Sequence, residues 1–216
     1  MIIQPLEKIF TFDEFLDFLE TQPENIRYEL YDGKIVEMSL PKGKHEKIVT
    51  FLVMMLMGER IRLKLEYGIP SKTLVKPKNK ISGYFPDILL LNLPNLINEP
   101  YWEDESIITK AESVALVIEV VSTNWRDDYY KKLADYVSEA WHDSAIEMGI
   151  PEYWIVDYAA YGSKELIGDP KQPIITIYSL SDDGDYRSKR FKENDRIVSP
   201  TFPDLNLTAE QIFTTS

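Results

Sequence analysis

Glu119 is the residue that most demands a chemical explanation. It stands inside Val114–Val121, a run otherwise made of Val, Ala, Leu and Ile. A short, β-branched run of this kind reads as a strand buried on both faces. Desolvating an ionised carboxylate there is costly unless a positive group meets it. A second carboxylate, Asp87, follows Pro86 at the head of the apolar run Ile88–Leu91. Two carboxylates on adjacent strands can hold one hard cation through oxygen. Magnesium usually takes one or two carboxylates and keeps waters or substrate phosphates. Lys132, in the helical stretch beyond, supplies an amine able to orient or help deprotonate an attacking water. Polarisation of a phosphoryl oxygen by the cation then supports in-line attack. Such a set suits phosphodiester hydrolysis. No Ser, His or Cys nucleophile set competes with it.

The spacing narrows the source of the amine. Glu119 and Val121 point to one face of the strand, so a lysine at 121 would lie beside the cation. That position is Val, and the positive group must come from elsewhere. Asp128, Lys132 and Tyr136 share one helical stripe, whereas Lys131 is turned about 100° away. Each residue also has a plainer reading. Glu119 could be ion-paired with Lys132 or an arginine. Asp87 could cap a strand start, and Lys132 could be an ordinary surface lysine. Ser122 and Asn124 read as helix caps, and Tyr153 and Trp154 as core.

The elements that must position these groups follow from periodicity. Thr11 and Glu14 form a capping box, opening a short helix to Thr21 that Pro23 ends. Arg27–Met38 reads as a hairpin turning at Asp32-Gly33, with Glu29 and Tyr31 on one face. A long helix is predicted over Lys44–Tyr67, stopped by Gly68. Strands are predicted near Ile69–Lys76 and Tyr84–Leu91, and an irregular surface loop over Asn92–Ala111. After the Glu119 strand, helical spacing runs from Arg126 to about Gly149. A strand at Glu152–Tyr158 follows, then a hairpin of Ile174–Leu180 and Tyr186–Phe191. A short helix opens at Thr208. The expected architecture is one mixed α/β domain over residues 1–216, a central sheet flanked by helices with added hairpins.

Composition bounds the rest. At 44% apolar residues the chain can bury a proper core, and no apolar run approaches the roughly 20 residues of a membrane span. The absence of cysteine excludes disulfides and thiolate chemistry; with no signal-peptide pattern it fits a cytoplasmic protein. A net charge of −12 argues against broad polyanion binding. The charge is uneven, however: Lys42–Lys80 holds ten Lys or Arg against three Glu. That segment is either a solvated lysine-rich face or a phosphate-contacting surface, with Lys76, Lys78 and Lys80 as its substrate-facing candidates.

Several motifs together resemble a bacterial family of restriction endonuclease-like proteins. They are Phe85-Pro86-Asp87, Ile118-Glu119-Val120-Val121-Ser122, Asp128 with Lys132 and Tyr136, and Gly149–Asp157, joined by Arg27–Gly33 and His45. The family was long catalogued as a domain of unknown function, is numerous in photosynthetic bacteria, and belongs to the PD-(D/E)XK nuclease superfamily. The resemblance spans roughly residues 10–180. It implies a restriction endonuclease-like core, a Mg2+ or Mn2+ site, and DNA as substrate. It also implies Asp87 and Glu119 as metal ligands with the Val120 carbonyl as a third, and Lys132 as the water-positioning lysine, moved from strand to helix. Glu29 becomes a further acidic residue and His45 a substrate-contacting or orienting one. The stretch Val137–Met148, with His142, departs from the expected pattern. A catalytically silent binding domain of the same fold, and a small-molecule phosphoesterase, are the competing readings. Strands near 152–157 and 174–191 are expected as edges that could pair two copies into a homodimer.

Overall fold

A computed structural model describes residues 8–23, 25–78, 80–137 and 148–215. In chain order the elements are α1 (Phe12–Glu20), β1 (Arg27–Tyr31), β2 (Lys34–Met38), α2 (Gly43–Leu63), β3 (Tyr67–Gly68), β4 (Leu74–Val75) and β5 (Ile88–Asn92). Then come α3 (Trp102–Glu105), β6 (Ile107–Ile108), β7 (Val114–Val120), α4 (Leu133–Tyr136), β8 (Glu152–Asp157), α5 (Lys164–Ile167), β9 (Ile174–Leu180), β10 (Tyr186–Phe191) and α6 (Ala209–Phe213).

The centre is a mixed six-stranded sheet ordered β10-β9-β8-β7-β5-β3. Only β7 and β8 run parallel, Glu119 opposite Ile155; the other neighbours are antiparallel. Every residue of β7 and of β8 is buried, as the unbroken apolar runs predict for strands covered on both faces. On one face, Ile48, Leu52 and Leu56 of α2 meet Ile118, Val120 and Trp154, and Ile212 of α6 joins the same cluster. On the other, Val117, Val121, Tyr153 and Ile155 meet Tyr129, Tyr136 and Val137. Alternation along β7 therefore sends Glu119 toward the second face, with Val117 and Val121.

The β1–β2 hairpin stands outside this sheet. It turns at Asp32 (φ 46) and Gly33 (φ 74), the left-handed pair that Asp-Gly supplies. It is fixed by two hydrogen bonds between Leu30 and Gly83, each 2.9 Å. A third cluster, Phe12, Phe15, Leu30, Leu74 and Ile107, locks α1 against it, and the capping box of Thr11 and Glu14 is formed.

Five expectations change. Helix α2 ends at Leu63, where Lys64 takes the left-handed conformation, so Gly68 lies in β3 rather than terminating the helix. The strand over Ile69–Lys76 shrinks to Leu74–Val75, which pairs with β6 in a separate two-stranded ribbon. The loop over 92–111 holds a 3-10 turn at Leu93–Asn98 and α3, because Pro94 sits where a first turn tolerates it. Strand β8 is interior, flanked by β7 and β9, so 152–157 offers no edge for a second copy. Among the described residues no helix is long and apolar enough to cross a membrane. The helix predicted from Arg126 to about Gly149 stops at Tyr136, where Val137 turns extended, and 148–150 are not helical; His142 lies outside the described residues.

Leu52 is completely buried between α2 and the sheet. Leu52→Ala is expected to lower unfolding stability by roughly 2–5 kcal/mol, read as a fall in the urea midpoint at unchanged slope.

Candidate active site

The sheet end that carries Asp87 and Glu119 opens into a cleft of about 210 Å³, whose lining includes Glu29, His45, Asp128 and Lys132. Asp87 precedes β5, and the antiparallel register of β5 on β7 (Ile88 opposite Ile118) puts its carboxylate beside Glu119. Asp87 Oδ2 accepts the Val120 N–H at 2.9 Å and lies 3.1 Å from His45 Nε2. The other ring nitrogen of His45 lies 3.2 Å from Glu46 Oε1. His45 is in the first turn of α2, where its ring is buried.

Lys132 comes from a turn of π-helix, Asp127–Lys132, leading into α4. Such wide turns are frequent at functional sites. Its ammonium lies 3.2 Å from Glu29 Oε1, 3.2 Å from Glu119 Oε1 and 3.8 Å from Asp128 Oδ1. It also sits above the Tyr84 ring, 5.7 Å from the centroid. Glu29 is held in place by the Phe85 N–H at 3.1 Å. Lys131 points elsewhere, paired with Asp127 at 2.6 Å, as its position on the helix predicted. Ser122 and Asn124 hydrogen-bond each other, and Asn124 reaches the Asp127 side chain at 3.2 Å; neither caps the helical turn as expected, since its N-cap position is Arg126 with no side-chain cap.

One buried ammonium therefore faces three carboxylates in contact, with a fourth nearby. Burial pushes the Glu119 carboxyl well above its ordinary range; Lys132 opposes this, while Asp87, Asp128 and Glu29 add to it. Burial likewise raises Asp128, to about 7, against the pull of Lys132. Asp87 behaves oppositely. Burial alone would raise it, but His45, Lys132 and the Val120 N–H together hold it below its usual value. Burial would lower Lys132, yet Glu119, Glu29, Asp128 and Asp87 outweigh that and keep it protonated. His45 is raised for the same reason: Asp87 and Glu46 overcome its desolvation.

Two other buried carboxylates show what a structural one looks like here. Glu152 takes the Trp154 indole N–H at 2.5 Å, the Ser199 hydroxyl at 3.0 Å and the Thr201 N–H at 2.9 Å. Asp157 takes the N–H groups of Tyr161 and Gly162, both at 2.8 Å. Glu119 differs. Its Oε1 has no hydrogen bond, although the side chain is only 2% exposed and Lys132 is close; the approach lacks hydrogen-bond geometry. A buried carboxylate oxygen without a hydrogen bond calls for an explanation, and its place beside other carboxylates is compatible with a cation site. Among the described residues no three His, Asp or Glu side chains form a ready cage. The donor set here is two side chains, Asp87 and Glu119, at the strand end that also carries Val120.

The structure thus brings Asp87, Glu119, Val120, Lys132, Glu29 and His45 together, and leaves Lys76, Lys78 and Lys80 away from the cleft. Lys80 lies 3.7 Å from Asp135, and the Lys76 ammonium covers the Phe12 ring. The basic segment is continuous in sequence but dispersed on the fold; of its lysines only Lys42 lines the cleft. Asp128 and Arg27 also line it. Arg27 was legible, since it alternates with Glu29 along β1. Asp128 shared a helical stripe with Lys132, but its burial had no sequence signal.

The family described as "Putative restriction endonuclease" (Uma2) matches residues 12–210. The chain belongs to this family. Among solved structures, a "putative nuclease belonging to DUF820" from Anabaena variabilis ATCC 29413 superposes with a TM-score of 0.65. The match is 18% identical and covers 95% of this chain and 98% of that one, which establishes the shared fold. No curated protein matches the chain.

Asp128 holds its proton more tightly folded than unfolded, so its ionisation withdraws stability as pH rises from near 3.8 to about 7. In chelator, urea unfolding of Asp128→Asn against wild type should show the variant gaining relative stability across that window and levelling above it. A gain that shrinks with rising pH would contradict this charge balance.

Proposed function

We propose that the chain is a metal-dependent endonuclease that hydrolyses DNA phosphodiester bonds in the Asp87–Glu119 cleft. The observation that carries this reading is the buried Glu119 carboxylate, whose Oε1 has no hydrogen bond, brought next to Asp87 by the register of two neighbouring strands. Family membership and the shared fold support it independently. Asp87, Glu119 and the Val120 carbonyl are the proposed ligands, with Glu29 as a further acidic contact. Mg2+ fits such a hard oxygen set, and Mn2+ is the natural substitute. When bound, the cation supplies polarisation of a phosphoryl oxygen and offsets the charge that develops there.

The side chains divide the remaining work. Lys132, held protonated by its carboxylate neighbours, acts as a donor: it orients the attacking water and meets negative charge on the phosphoryl group. His45 bridges Glu46 and Asp87 and so fixes the Asp87 carboxylate in one orientation. Asp128 balances Lys132 from its own turn. Arg27 and Lys42, both on the cleft wall, are placed to meet the phosphates on either side of the scissile one.

Calorimetric titration should show Mg2+ or Mn2+ binding to wild type and not to Glu119→Ala. Plasmid nicking should require the cation, and Lys132→Met should lower the rate by about 10²–10³-fold while cation binding persists. Cleavage unaffected by Glu119→Ala would reject the assignment. Hydrolysis of a small diester without cleavage of any nucleic acid would transfer it to a small-molecule phosphoesterase.

A further inference from the structure

A second cavity, about 470 Å³, opens beside Asp87 and shares Arg27, Phe85 and Asp87 with the cleft. Its walls are different in character. Leu19 closes one side from α1, Val49 closes the other from α2, and Ile26, Tyr28 and Pro86 lie between. Polar groups are interspersed: Gln22, Ser71, Thr73 and the acidic Glu46 also line it. Two cations line it, both close to Phe85. Arg27 Nη2 donates to the Phe85 carbonyl at 2.9 Å, and the Lys72 ammonium stands 5.8 Å from the centre of the Phe85 ring.

This is a mixed slot, partly aromatic, with apolar walls, hydrogen-bonding groups and two cations beside the Phe85 ring. It begins at one of the two carboxylates of the proposed cation site. A phosphodiester seated at Asp87 and Glu119 carries its next sugar and base outward from that point, within reach of the slot. The chemistry of the walls matches a nucleobase: a flat π-face for Phe85 and Tyr28, and amide and carbonyl edges for Gln22 and Thr73. Arg27 then lies between base and scissile phosphate. A base inside a duplex is stacked and paired, and it cannot enter a slot between two helices unless it is extruded, which costs least where it is already unpaired.

We infer that the Leu19–Val49–Phe85 slot binds the base of the nucleotide adjoining the scissile phosphate, so that the preferred substrate is unpaired DNA: single strands, frayed ends or bubbles. This rests on the nuclease reading for what occupies the cleft.

The test uses the full chain carrying Lys132→Met with Mg2+, so that the proposed cation site can fill while turnover is slowed. Oligonucleotides carrying one 5-iodouracil are irradiated as single strands and as duplexes, and the crosslinked peptides are mapped by mass spectrometry. Single strands should crosslink to Phe85 or Tyr28, and duplexes much less. Ile26→Trp, which fills the slot from a half-buried turn, should weaken single-strand binding roughly tenfold and leave duplex binding unchanged. Val49→Trp gives the same reading from the opposite wall. Crosslinks that map elsewhere, equal yields from duplex, or unaltered single-strand affinity in a folded Ile26→Trp protein would overturn the inference. Crosslinking retained while the wild-type chain cuts no DNA in magnesium would sink the nuclease reading and leave the base site standing.

Discussion

A single ammonium group, that of Lys132, is surrounded by more buried negative charge than it can neutralise, and the architecture around it follows from that imbalance. Its three contacts come from three separate elements: Glu29 from a hairpin outside the main sheet, Glu119 from the middle of the sheet, and Asp128 from its own helical turn. Removing charges from water costs several kcal/mol per ion, in rough terms, and a buried pair recovers that only with complete hydrogen bonding. The Glu119 contact does not reach that standard. A fold selected for stability alone would satisfy this carboxylate as it satisfies Glu152, whose oxygens meet the Trp154 indole, a hydroxyl and a main-chain N–H. The chain does so at one glutamate and not at the other, 33 positions apart in the sequence. Of the three buried side-chain atoms left without a hydrogen bond among the described residues, Ser113 Oγ, Tyr136 OH and Glu119 Oε1, only the last belongs to a carboxylate on the cleft wall, as a site kept for a ligand would have it.

Much of this was readable before any coordinates. The apolar run around Glu119 has no alternative to a doubly covered strand, and Asp-Gly between alternating runs has few alternatives to a tight hairpin. Both formed where the residues placed them. The meeting of Asp87 with Glu119 was also legible, because two apolar runs each bearing one carboxylate are natural neighbours in a sheet. What failed was everything set by tertiary contact. Leu74–Val75 pairs outside the main sheet, and a two-residue ribbon carries no periodicity. Strand β8 was read as an edge because nothing in EYWIVDY distinguishes one neighbour from two. The lysines of 76–80 were grouped by sequence proximity, yet the loop carries them away from the cleft while Arg27, far off in sequence, lies on its wall. Glu29 could be assigned to a face of the hairpin, but what that face met depended on the docking of Leu30 against Gly83, a contact 53 positions long in the chain.

The two carboxylates at the centre are not equivalent, and the difference bears on how a cation would be taken up. Asp87 is clamped by His45 and the Val120 N–H and stays ionised below the usual range. Glu119 has only a misaligned ammonium for company, and burial favours its protonated form. Were both to hold a cation as proposed, Asp87 would meet it readily as a carboxylate, whereas burial opposes the ionisation that Glu119 would need. Metal binding that requires deprotonation is pH-dependent and releases protons. An acidic protein gains from such an arrangement. Its overall field repels polyanions at long range, and a site with two permanently ionised carboxylates would add to that repulsion. Burial that disfavours an ionised Glu119 limits that repulsion where no positive charge is present to offset it.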